Sequence, residues 1–368
     1  MKCTCVVLND SVNTLFDKST ETVMSLFYHN GYVFEEVRSL PLSNVEKLKK
    51  TLAELKTDYE VIAILCKENK LAFAREHILS ELPTATEKGV FGGAAIYENG
   101  ALAICLAATD SAANGADYVK NVCIPFLGKK FGTRIDKIIL RSMGAASARV
   151  EGLLAEARRI GEGKATYRHS RKYDEDVIEI VYDGNTPKMV VDDTLRLLAD
   201  GLGDTVYALE DVTLEEQLVT LLKVRGKKIS VAESFTGGGL ARRIVSVAGA
   251  SEVYFEGLNT YDERSKIKRL GVSEFTLGTK GVVSDQTAYE MALGLLNTGD
   301  CDIAIATTGF AGPKSDRYGN PVGLCFIAVG TKEKITVYRY KFDGGRSEIT
   351  EKGINYALYH AYIHLKNV

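Results

Sequence analysis

The chain has 368 residues, 45% of them hydrophobic and 26% charged, with a formal net charge of -2. This is ordinary globular composition at a length that suggests two or three domains. It lacks the basic excess of a nucleic-acid-binding face and any apolar run long enough to span a bilayer.

The start, MKCTCVVLND, does not read as a signal peptide. The seven cysteines are scattered and odd in number, which suggests reduced thiols in a cytoplasm. Cys3 and Cys5 share a strand face without a matching second pair, so no metal site is expected there.

The chain order begins with a βα rhythm. TCVVL is a strand, TETVMSLFYHNG a helix ending at Gly31, and YVFEEVRSL a strand. SNVEKLKKTLAEL is a helix capped by Ser43, YEVIAILC and GALAICLAA are strands, and ADYVKNVCIPFLGKKFG is a helix. The rhythm predicts a mostly parallel sheet covered on both faces, ending near Gly132.

Residues 133–211 read as a small α+β unit. RIDKIILRSMG is a strand, SARVEGLLAEARRIG a helix and ATYRHSRKYDEDVIEIVYDG a pair of strands. The helix PKMVVDDTLRLLADGLG, the strand TVYAL and a linker, EDVT, complete it.

The last segment, residues 212–368, opens on a capping box formed by Thr213 and Glu216. KKISVA reads as a buried strand and GLARRIVSV as a helix. CDIAIATTGFAGP is a strand running into a Gly/Pro loop, and GLCFIAVG and KITVYRYKF are further strands. The final helix carries Ile354, Leu358, Ala361 and Leu365 at helical spacing. His360 and His364 stand at i,i+4 on it. With no acidic third ligand nearby in sequence, they read as part of a partly exposed helix rather than as a metal site.

Chemistry concentrates in VAESFTGGGLARRI, residues 231–244. A strand, a hydroxyl–glycine turn and a helix start in succession bring backbone N–H groups and partial positive charge close to a ligand. Ser234 in that turn is either a nucleophile beside an oxyanion hole or a helix cap. A nucleophile needs a base. No histidine lies between His169 and His360, so a serine–histidine pair would have to borrow the C-terminal helix. A buried, neutral lysine is the other solution. NTYDERSKIKRLGV supplies Lys266, with Tyr261 to orient it or relay the proton; Lys268 reads as an ordinary surface lysine. Thr307, Thr308, Gly309 and Gly312 could line a nucleotide pocket at the carboxyl end of a strand. Arg346 could clamp a phosphate or carboxylate.

The stretches VAESFTGG, GLNTYDERSKIKRLGV, GVVSDQTAYEMA, ATTGFAGP, NPVG and GGR occur in the order of the C-terminal domain of the competence/damage-inducible CinA family. That domain is similar to nicotinamide-nucleotide amidase (PncC-like). The resemblance covers about residues 213–368. It implies hydrolysis of the amide of nicotinamide mononucleotide to nicotinic acid mononucleotide and ammonia, as in pyridine-nucleotide salvage. Ser234 would be the nucleophile, with Lys266 and Tyr261 as its catalytic partners. Thr236, Gly237, Gly238, Thr308, Gly309, Ala311, Gly312 and Arg346 would bind substrate. The resemblance implies a small-molecule nucleotide substrate, no cofactor, no metal, no nucleic acid and no membrane, and a homodimer in the cytoplasm.

Phe235 stands where the family often has cysteine, and Glu256 with Gly257 where it has a glycine pair; Phe235 bears on substrate preference. Residues 133–211 resemble the family's small KH-like domain. Residues 1–132 occupy the place of its molybdopterin-binding-like domain, with LNDSVNTLF and CKENKLAFA where that domain has its glycine-rich motifs. They read as a degenerate scaffold or a dimerisation unit. The fold class expected is therefore α/β in three parts. Two other functions are a catalytically silent nucleotide-binding or regulatory protein and a bifunctional ADP-ribose pyrophosphatase/amidase.

Overall fold

The computed structural model describes residues 1–9, 18–41, 44–110, 112–132, 135–313 and 319–367. It is a mixed α/β chain with three sheets. By contact density it divides into two compact units, Met1–Lys137 with Val181–Pro187, and Ile138–Ile180 with Lys188–Val368. No helix among the described residues is long and apolar enough to cross a membrane.

In the first unit the strands are β1 (Cys3–Asn9), β2 (Phe34–Pro41), β3 (Val61–Cys66), β4 (Thr86–Phe91), β5 (Ala94–Asn99) and β6 (Leu102–Ala108). Their order in the sheet is β2-β1-β3-β6-β5-β4. The first four are parallel, as the βα rhythm predicts; β5 and β4 complete the sheet as an antiparallel hairpin. The helices are α1 (Lys18–His29), α2 (Val45–Asp58), α3 (Leu71–Glu81), α4 (Ala112–Tyr118) and α5 (Ile124–Phe131). Sequence pattern alone missed α3 and the β4–β5 hairpin. The cap of α2 is Asn44, whose side chain accepts from Lys47 N; Ser43, the expected cap, lies outside the described residues, as does most of LNDSVNTLF. The helix expected up to Gly132 contains a π turn, Val119–Cys123, between α4 and α5. It ends on Gly132 with φ 65, a left-handed terminus suited to glycine.

Next in the chain, mostly in the second unit, are β7 (Ile135–Met143), α6 (Ser147–Gly161), β8 (Ala165–Lys172), β9 (Glu175–Asp183), α7 (Lys188–Leu202) and β10 (Val206–Ala208). These strands form a sheet in the order β10-β7-β9-β8. Then come α8 (Leu214–Arg225), β11 (Ile229–Glu233), α9 (Gly239–Val245), β12 (Tyr254–Asn259), α10 (Glu263–Leu270), α11 (Glu274–Thr279), α12 (Asp285–Asn297), β13 (Ile303–Gly309), β14 (Leu324–Gly330), β15 (Ile335–Lys341) and α13 (Arg346–Asn367). The Thr213–Glu216 capping box opens α8.

The C-terminal sheet runs β12-β11-β13-β14-β15. β11 is parallel to both neighbours, with Glu233 level with Asn259 and Thr307. The chain leaves β11 for one side, to β12, and then crosses to the other, to β13. That reversal opens a crevice at the carboxyl end of β11. Alternation sets the two faces. Ile229, Val231, Ile303 and Ile305 pack with Leu218, Leu240, Ile354 and Leu358 from α8, α9 and α13. Ala232, Ala304, Ala306 and Ala328 meet Leu270 of α10 and Met291 and Leu295 of α12. The short alanines let α12 lie close to the sheet. Gly294 of α12 is needed for a similar reason: a Cβ there would stand 2.1 Å from the Leu270 carbonyl oxygen.

Candidate active site

The same alternation aims the residues that end β11. Glu233 has the parity of Val231 and points beneath α9. Ser234 has the parity of Ala232 and turns toward α10. The Glu233 carboxylate is 1% exposed and accepts from Gly238 N and Leu240 N at 3.0 Å and from Ala241 N at 2.8 Å. It therefore satisfies the first turn of α9, the cap role that local sequence offered to Ser234.

Ser234 does not serve as that cap. Its own N–H is tied to Thr307 O at 3.1 Å, which fixes the turn against β13. Lys266 and Leu270, one helical turn apart, are the buried residues of α10. Lys266 Nζ lies 3.0 Å from Ser234 Oγ and donates to Thr260 O at 2.6 Å. Burial pulls the Lys266 ammonium from 10.5 down to about 8, against the smaller opposing effect of the Glu263 and Asp262 carboxylates. Lys268 is exposed.

The glycines serve the turn's geometry. Gly237 and Gly238 have φ 61 and 93, a region that side chains disfavour. Their N–H groups are engaged within the turn, Gly237 to Ser234 O at 3.2 Å and Gly238 to Glu233. The helix N-terminus that sequence offered to a ligand is thus occupied by the chain's own carboxylate. Two donors remain: the N–H groups of Phe235 and Thr236 have no hydrogen-bond acceptor among the described residues.

Other expected residues line the same cleft, whose walls include Ser234, Phe235, Tyr261, Lys266, Thr308, Gly309, Ala311 and Arg346. Thr236 is buried and its hydroxyl meets that of Thr307 at 2.8 Å. Thr308 donates to Val282 O at 2.7 Å. Gly309 cannot be larger, because a Cβ would come within 2.6 Å of Cys325 Sγ. Tyr261 is 62% exposed, more open than a half-buried strand aromatic. Its hydroxyl accepts from Arg346 Nη2 at 3.1 Å, and Arg346 Nη1 donates to Gly312 O at 2.6 Å. The lysine is oriented by the Thr260 carbonyl rather than by Tyr261, which belongs with Arg346 at the mouth. Phe235 packs into a small cluster with Ala311, Cys325, Phe342 and Ile349. Its ring lies against Gly353 of α13, where a Cβ would stand 2.4 Å away.

Glu233 and Thr260 are the residues of the site that sequence reasoning passed over. An acid one residue before a turn that opens a helix was the available signal for Glu233; nothing local marked Thr260. His360 is only 9% exposed, not partly exposed as its helix suggested. It stacks on Tyr338 at 3.5 Å, meets Tyr340 OH at 2.5 Å, and is pushed by burial down to about 4. Among the described residues no group of three or more His, Cys, Asp or Glu side chains is placed to hold a metal ion.

Residues 211–365 match the family model described as CinA C-terminal domain. A protein of Caldicellulosiruptor saccharolyticus named "Putative competence-damage inducible protein" is 36% identical over 237 residues, 64% of this chain and 58% of that protein. A protein of the same name from Clostridium beijerinckii is 44% identical over 148 residues, 40% of this chain and 36% of that protein. The chain thus spans about half the length, or less, of these curated relatives. A crystal structure of a CinA superfamily protein from Klebsiella pneumoniae is 30% identical, covering 42% of this chain and 97% of that one, with a TM-score of 0.41.

Proposed function

This chain belongs to the CinA family, and from that premise we propose that residues 212–368 hydrolyse a carboxamide, that of nicotinamide mononucleotide, by a serine–lysine mechanism. The observation that carries the reading is the buried pair Lys266 Nζ and Ser234 Oγ, 3.0 Å apart, with the lysine brought down to about 8. A serine hydroxyl is a weak nucleophile until a base takes its proton. At neutral pH a lysine near 8 is unprotonated in an appreciable fraction of molecules, and it is already in reach.

The proton passes from Ser234 Oγ to neutral Lys266 Nζ as Oγ bonds to the amide carbon. The carbonyl oxygen takes up the negative charge and accepts from the Phe235 and Thr236 N–H groups, the donors left open beside the nucleophile. As the tetrahedral intermediate collapses, the C–N bond breaks, Lys266 returns the proton to nitrogen, and ammonia leaves. Water then attacks the serine ester, giving its proton to Lys266, and the carboxylate product is released with Ser234 reprotonated. Arg346, held by Tyr261 and Gly312 at the mouth, is placed for an anionic substituent such as a phosphate. Thr308 to Ala311 line the cleft beside the Ser234 turn, where this reading seats the ring and ribose.

The test is product analysis by mass spectrometry after incubating the full chain with nicotinamide mononucleotide. The reading expects nicotinic acid mononucleotide with one ammonia per turnover. A folded chain that binds the nucleotide and returns it unchanged would instead support a silent, regulatory protein.

A further inference from the structure

Gly353 is buried in the interior of α13, where glycine is among the poorest helix formers. Its missing side chain makes room for a ring from elsewhere in the chain. A Cβ on Gly353 would stand 2.4 Å from Cζ of Phe235 and 2.6 Å from its Cε2. Such an overlap has to be relieved by the helix, by the ring or by the turn that carries the ring. The helix is fixed on both sides of Gly353. Ile354 Cδ1 lies 2.6 Å from where a Cβ on Gly239, the first residue of α9, would stand. Asn355, 2% exposed, accepts from Arg243 Nη1 of α9 at 2.5 Å and donates to Tyr173 O, between β8 and β9, at 3.0 Å. The ring is enclosed as well, by the buried Ala311, Cys325, Phe342 and Ile349. The turn is the part left to yield. Phe235 directly follows Ser234, and the N–H groups of Phe235 and Thr236 are the open donors beside it.

We propose that Gly353 is a positioning residue: by receiving the Phe235 ring, α13 sets where the Phe235 and Thr236 N–H groups stand relative to Ser234, and with them the kcat of amide hydrolysis. The effect on kcat rests on the amidase reading; the seating of the turn does not. Donors of this kind work only within hydrogen-bond distance of the charge that develops in the transition state. A displacement of about 1 Å can cost about a hundredfold in rate. The phosphate clamp at Arg346 and the cleft walls beyond the turn are not moved by a methyl group at position 353. Its cost therefore falls on kcat and leaves KM nearly as it was.

A double-mutant cycle in the full chain tests this. Two quantities are read on variants that circular dichroism shows to be folded: kcat and KM for nicotinamide mononucleotide, and deuterium exchange of the amides in residues 231–244. Gly353→Ala should lower kcat about thirtyfold with KM within about twofold. The amides of the turn should exchange about tenfold faster. Phe235→Leu keeps an apolar side chain and every backbone donor but lacks the outer ring atoms that would meet the new Cβ. Combined with Gly353→Ala, it should bring kcat to within about threefold of Phe235→Leu alone and restore slow exchange. Gly152→Ala, in α6, is the control for helix propensity: nothing lies within 4 Å of its new Cβ, and it should change neither quantity. If the unsubstituted chain leaves the nucleotide intact, the amidase reading fails and the exchange cycle alone decides the seating of the turn. A turn that exchanges no faster in Gly353→Ala overturns the proposal, as does a loss that Phe235→Leu fails to relieve, or an unchanged kcat in an active chain.

Discussion

At the carboxyl ends of β11, β12 and β13 the C-terminal sheet collects buried polar side chains: Glu233, Ser234, Thr236, Thr260, Lys266, Thr307 and Thr308. The equivalent edge of the N-terminal sheet, at the ends of β3 and β6, is quieter among the described residues. Thr109 turns back to Cys66 O through its N–H and its hydroxyl, and Asp110 accepts from Glu68 N at 2.7 Å. Both edges follow parallel strands covered by helices, so topology alone does not separate them. Burying polar groups is costly unless they are paired. At the described N-terminal edge, Thr109 and Asp110 close the chain on itself. In the C-terminal unit they pair so as to leave a lysine against a serine and two amide donors unengaged, an arrangement that structure for its own sake does not require.

The sharpest break of that contrast is at the serine and lysine. Ser234→Ala and Lys266→Arg, which keeps the charge but cannot act as a base, should each lower amide turnover by about a thousandfold or more. Asp110→Asn, at the quiet edge, should leave it within about twofold. Ammonia release by folded variants measures all three; near-normal turnover in Lys266→Arg would reject the lysine as base.

Next is Glu233, whose removal strips the acceptor from three amides. Glu233→Ala should destabilise the C-terminal unit by about 3–5 kcal/mol, read from the urea midpoint. A loss under about 1 kcal/mol would mean that this carboxylate does not hold the turn.

Lys266→Met should act in the opposite direction on stability while abolishing turnover. The lysine's folded pKa lies below its unfolded value, so the charged form is disfavoured on folding. That penalty is present in full below about pH 8 and fades as pH rises toward 10.5. Removing the amine should therefore stabilise the fold by roughly 3 kcal/mol at pH 7, with the gain vanishing above pH 10.5. Thermal melts at both pH values check the sign. In the unsubstituted chain, amide turnover should climb with pH to a plateau, with its midpoint near 8.

Within the site the smallest effect belongs to Tyr261→Phe. Its hydroxyl accepts from Arg346 at the exposed mouth, so the loss should be about tenfold or less and fall mainly on KM. A large fall in kcat with KM unchanged would return Tyr261 to proton relay.

Much of the framework was legible because it is local. The Thr213–Glu216 box, the strand–turn–helix around Ser234 and the stripe Ile354, Leu358, Ala361 and Leu365 each sit within a few turns of chain. The stripe residues are all buried. The β4–β5 hairpin was illegible because β4 is almost wholly exposed and has no apolar alternation to read. In α3 the buried Leu71, Ala74 and Ile78 are interrupted by His77, which is also buried, so polarity and burial diverge. His360 misleads for the same reason: a polar residue on a helix reads as exposed, whereas a tyrosine stack encloses this one.

What the sequence by itself determined was most of the order of strands and helices, α3 and the β4–β5 hairpin apart, and the chemical types at each turn, since periodicity and capping act between near neighbours. It also put a hydroxyl, an acid and glycines at the end of β11. Only the tertiary structure decided which groups meet. Lys266 and Ser234 are 32 residues apart, and Arg346 and Tyr261 are 85 apart. Their contacts follow from the parallel register that sets Glu233 beside Asn259 and Thr307, and from the face of α10 that lies on the sheet. That register also decided which of two adjacent residues serves the helix and which faces the cleft. A strand turns successive side chains to opposite faces, so Glu233 capped α9 and Ser234 met the lysine.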